Sequence, residues 1–164
     1  MRNITKVFAG LAAVAMLATV TAHAQSQTGS VSALANVQQP IDVVGAVDLD
    51  FGNVFPGVNK TIGVAAATAG RFDVTGQSSA PVLISFLLPA NLTGAGNLPI
   101  GTWTGNHNIA NAPTGTNFTP SAGTTNSTLS GTGALFVFVG ATVSPAAAQP
   151  AGAYSGTVQM TVTY

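Results

Sequence analysis

Apolar residues come along the chain in short runs punctuated by Gly and Pro, and the runs are of two kinds. At the C-terminus Tyr154, Gly156, Val158, Met160, Val162 and Tyr164 alternate with Ser155, Thr157, Gln159, Thr161 and Thr163. A period of two sends successive side chains to opposite faces, so this spacing predicts a strand with one core face and one wet face. Residues 82–88 (VLISFLL), closed by Pro89, and 134–139 (ALFVFV) are apolar at every or nearly every position. Such runs predict central strands covered on both sides.

Shorter runs predict strands at 47–51, 61–66, 71–75 and 99–104, the first with Val47, Leu49 and Phe51 inward and Asp48 and Asp50 outward. Residues 31–37 (VSALANV) add an N-terminal element in which Val31, Ala33, Ala35 and Val37 share a face. About eight strands, no helical crossovers and regular turn signals predict an all-β fold, an immunoglobulin-like antiparallel β-sandwich. Residues 101–133, rich in Thr, Asn, Gly and Ser with scattered Trp103, Ile109 and Phe118, read as a long hairpin or surface loop of the same domain.

The first 24 residues have a different grammar. Arg2 and Lys6 precede an apolar stretch at 7–20, and Ala22-His23-Ala24 supplies small residues on either side of His23. This is the pattern of a signal peptide helix cleaved before Gln25. A membrane span needs about 20 apolar residues, and nothing later in the chain is long and apolar enough to supply one. The expected organisation is a leader at 1–24, an extension or first strand at 25–39 and a sandwich at 40–164, exported to the periplasm, cell surface or medium of a bacterium.

Composition then narrows the chemistry. Only 5% of residues are charged, and beyond the leader Lys60 and Arg71 face Asp42, Asp48, Asp50 and Asp73, a net charge of −2. A nucleic-acid partner calls for clustered basic residues, so none is expected. There is no Cys and no Glu, and His107 is the sole histidine after the leader, in a Gly-Asn-His-Asn context without a nucleophile elbow. No catalytic, cofactor or metal residues are assigned: an enzyme is not expected, and the four Asp offer too few oxygens for a tight calcium site. Trp103, flanked by Gly, Thr and Asn, is the one candidate for stacking on a ligand, against the alternative that it packs in the sandwich.

Four motifs in order carry a resemblance: 48–54 (DLDFGNV), 70–76 (GRFDVTG), 84–89 (ISFLLP) and 151–158 (AGAYSGTV) running on to Tyr164. Together they resemble the secreted bacterial family known as domain of unknown function 4402, itself similar to the spore coat U and fimbrial-subunit group, over about residues 40–164. The resemblance implies an immunoglobulin-like sandwich at the cell surface and pilin-like assembly. The chain departs from the fimbrial relatives in lacking a Cys pair.

Two functions are then expected. The first is a structural surface subunit that assembles head to tail with itself, or with other surface proteins, by β-strand addition. Val31, Ala33, Ala35 and Val37 would be donated, and Val158, Met160, Val162 and Tyr164 would lie on the accepting C-terminal strand. The alternative for residues 31–37 is that they fold back as the first strand of their own sandwich. The second function is a monomeric secreted module in which Trp103 and the 101–133 region contact a glycan or surface protein.

Overall fold

The computed structural model describes residues 26–164, so the expected leader lies outside the described residues. The chain divides into two units, Met1–Ala35 and Asn36–Tyr164. Of the first, residues 26–35 form no strand or helix and are exposed, and in the second residues 36–40 are likewise irregular and exposed. The fold-back alternative is therefore corrected: residues 31–37 make no strand of their own sandwich, whose first strand starts at Asp42.

Ten strands build the second unit. They are β1 (Asp42–Val47), β2 (Lys60–Ile62), β3 (Gly70–Thr75), β4 (Pro81–Leu87), β5 (Asn91–Thr93), β6 (Asn97–Asn108), β7 (Thr116–Phe118), β8 (Thr125–Thr128), β9 (Ala134–Val143) and β10 (Gln159–Thr163). No helix occurs among the described residues, and the fold is all-β, two antiparallel sheets packed face to face. The larger sheet has seven strands in the order β1-β3-β9-β6-β5, with β2 also pairing β9 and β7 also pairing β6; the smaller has three, β10-β4-β8.

The centre of the larger sheet is β9, where the apolar run of the sequence is covered on both faces as expected. Val74, Leu135, Val137 and Val139 from this sheet meet Val82, Ile84, Phe86 and Val162 from the smaller one in the main core cluster. Burying each such side chain contributes about 1.5–3 kcal/mol. In β4 the expectation is corrected: Val82, Ile84 and Phe86 are buried, but Leu83 and Leu87 stand exposed on the outer face. A three-stranded sheet with no third layer has only one side to bury. β10 follows its alternation, with Met160 half-buried, Val162 buried, and Gln159, Thr161 and Thr163 exposed.

Two further differences have local causes. The expected strand at 47–51 ends at Val47, although Leu49 is half-buried and Phe51 buried as the alternation requires. Asp50 Oδ1 accepts from the Gly52 amide at 2.7 Å and Gly52 sits at φ 56°, a side-chain-closed turn that replaces ladder pairing. After Ile62 two successive turns, Ala66 N–H to Gly63 and Ala69 N–H to Ala66, stop the expected strand 61–66. The polar region 101–133 contains a hairpin, the end of β6 pairing with β7, and then β8, which pairs β4 in the other sheet, with irregular stretches between them.

Candidate functional site: an open groove between the sheets

Three strands cannot cover a sheet five strands wide. Next to the segment that leads into β10, part of the larger sheet borders a groove of about 1110 Å³. Its apolar lining is Phe72, Leu92, Leu98, Ile100 and Val139, where the two core clusters reach the margin of the contact between the sheets. One wall is the end of β1 and the segment following it to Pro56; the other is the segment from Gln149 to Val158 that leads into β10. β10 pairs β4 on one side only, so its other edge presents free backbone donors and acceptors.

The second wall is held away from β10's sheet by specific bonds. Ser155 exchanges backbone hydrogen bonds with Thr93 of β5, at 2.8 and 2.9 Å. Tyr154 Oη donates to the Pro150 carbonyl at 2.7 Å and accepts from Gln149 Nε2 at 2.8 Å, and the same amide reaches the Asn97 carbonyl at 3.2 Å. Gly94 is required where the wall crosses β5, because a Cβ there would run into the Ala153 carbonyl oxygen. The expected strand 154–158 is thus corrected: this stretch leaves the larger sheet at Ser155 and joins the smaller only at Gln159.

The first wall rests on the Asp50–Gly52 turn, on Asp50 N–H donating to the Thr68 carbonyl at 3.0 Å and on Lys60 Nζ donating to the Asn53 carbonyl at 3.0 Å. Leu49 and Val54 pack with Phe51, Leu98, Ile100 and Val143 in a second core cluster. Asp48 and Asp50 line the groove but are exposed. The groove is therefore apolar at its base and acidic on one side.

The residues expected at an assembly site divide as follows. Val158 lines the groove; Met160 and Val162 face the core from β10; Tyr164 is 43% exposed at the far end of that strand. Val31 and Val37 are exposed, at 97% and 91%, as are Ala33 and Ala35. Trp103 is half-buried and packs against both core clusters. A bulge at Gly101–Thr104, with Thr102 at φ 48°, sets the local turn of β6 at this point.

Elsewhere, His107 on β6 shares a hydrogen bond of 3.0 Å with Ser127 Oγ of β8 and lies 5.7 Å from the Phe118 ring. Burial lowers its pKa below the ordinary value of 6.5. Asp73 is engaged by Arg71 at 2.8 Å, and Arg71 also reaches Asn111. Among the described residues no three of His, Cys, Asp and Glu come together as a metal-holding group.

A seven-over-three antiparallel sandwich, with a groove at the lead-in to its C-terminal strand, is the class of protein that fold and groove define. The chain belongs to the family described as a domain of unknown function (DUF4402), whose model matches residues 41–164. No curated protein and no solved structure matches the chain.

Proposed function

We propose that the chain is an exported structural subunit of the bacterial surface, pilin-like or matrix-forming, that assembles by β-strand addition. The observation that carries this reading is the apolar groove at the lead-in to β10, together with the unpaired edge of that strand. An extended segment laid there hydrogen-bonds to β10 through its backbone and inserts alternate side chains toward Phe72, Val139 and Ile100. Residues 31–37 of a second copy fit that requirement. They carry Val31, Ala33, Ala35 and Val37 at a spacing of two, no charge, and exposed side chains with no strand partner of their own. Seven extended residues reach about 23 Å, enough to span a strand of the length of β10 with its lead-in.

A kinship of this family, to which the motifs at 48–54 and 151–158 point, with the spore coat U and fimbrial-subunit group would support the same reading. So does the leader pattern at 1–24, which would deliver the chain outside the cytoplasm. Head-to-tail addition uses a different surface on each partner and so grows open filaments. The test is electrophoresis in detergent of the processed protein with and without boiling. Strand-exchanged polymers give a ladder that heat collapses, and Val31→Asp/Val37→Asp abolishes it. A clean monomer at high protein concentration overturns the proposal.

A further inference from the structure

The root of the N-terminal segment is clasped at the end of the sandwich opposite the groove. Tyr164 Oη donates to the Gln39 carbonyl at 2.6 Å and accepts from the Gln77 amide at 2.7 Å, while Gln39 N–H donates to Gln77 Oε1 at 3.2 Å. Both backbone groups of Gln39 are thereby taken, and Pro40 has no N–H to give. Gly76 makes room for the phenol: a Cβ there would come within 2.7 Å of Tyr164 Oη and 2.9 Å of Leu129 Cδ1.

Direction follows from the clasp. β1 starts at Asp42, paired with Thr75 next to the clasp, and ends at Val47 beside the groove, about 20 Å away for six extended residues. β10 runs the other way and finishes in the clasp at Tyr164. Residues 31–37 laid in their own groove would have to reverse direction at 38–41 and would then lie parallel to β10. Every strand ladder among the described residues is antiparallel. The reversal would also draw on the Gln39 amide and carbonyl, which the clasp already holds. A segment arriving from another copy meets neither obstacle and can lie antiparallel to β10.

Resting on the strand-addition reading, we infer that the Tyr164–Gln39–Gln77 clasp is a positioning device: it bars residues 31–37 from their own groove and reserves the groove for a second copy. Tyr164→Phe and Gln77→Ala each remove one part of it, and two variants guard against one of them folding poorly. In either full-length processed variant, amide exchange at Gln39 accelerates. The heat-sensitive ladder gives way to monomer by about tenfold at low protein concentration, the size expected for losing one hydrogen bond. A synthetic peptide of residues 26–38 provides the control, binding a full-length Val31→Asp/Val37→Asp protein equally well with and without Gln77→Ala. Ladders unchanged in both clasp variants, with peptide binding intact, overturn the clasp's role alone. Failure of the peptide to bind any of these proteins overturns strand addition, and the clasp's role with it.

Discussion

At the scale of single residues, Trp103 and His107 show how β6 spends its two kinds of side chain. Trp103 joins the two core clusters, so Trp103→Ala opens a void against both. We expect a loss of about 3 kcal/mol, read as a lower midpoint in chemical denaturation. His107 acts through its proton. Its folded-state pKa is lowered by burial, so the unfolded chain binds the proton first as the pH falls. Stability from this residue is complete above about pH 6.5 and is lost as the pH drops from there toward the folded value. Thermal melts at about pH 7.5 and about pH 5 should show a decline that is smaller in His107→Asn. An equal decline in the variant would assign the effect to other groups. Asn106, beside it, is buried at 1% exposure yet satisfied: its Nδ2 donates to Asn117 Oδ1 at 2.7 Å, and its Oδ1 accepts from the Gly115 amide at 3.1 Å.

Among the elements, β10 offers the cleanest test of which face is wet. Val162→Asp places a carboxylate in the core and should cost about 3 kcal/mol or more, whereas Thr161→Asp stays within about 0.5 kcal/mol. Melting both variants checks it, and an equal loss would mean both faces are covered. The alternation at 158–162 made this strand legible in the sequence, as the apolar run did for β9. What stayed hidden was paired through side chains or far along the chain. The 101–133 region read as a long hairpin or surface loop because Asn and Thr favour turns; the hairpin is β6 with β7, where the Asn106–Asn117 amide bond satisfies the one buried amide. The 154–158 stretch looked like a strand because its period is two, yet the Thr93–Ser155 bonds pull it to the other sheet. The AGAYSGTV motif marked one groove wall without saying it was a wall. The lining residues Leu92 and Leu98 carried no signal, since only the mismatch between the two sheets sets them beside a groove. Nor did anything in the sequence connect Gln39 and Gln77 with Tyr164.

Over the whole molecule, stability rests on the cores, because the chain has no Cys and its acidic residues are scattered. Chelators should therefore leave the melting temperature of the processed protein unchanged, and a calcium-dependent rise of several degrees would point to a site the four Asp form with other oxygens. The Tyr164–Gln39 bond has a different consequence at this scale, since it brings together residues 125 positions apart. The sandwich begins and ends in one place, so its chain order is a convention that can be rewritten. Joining Tyr164 to Gln39 through a short Gly/Ser linker and opening the exposed stretch between Ala122 and Gly123 should give a circular permutant that folds with the same β-sheet spectrum. That permutant would have a groove and no free N-terminal segment upstream of β1, a subunit able to receive a strand and unable to pass one on.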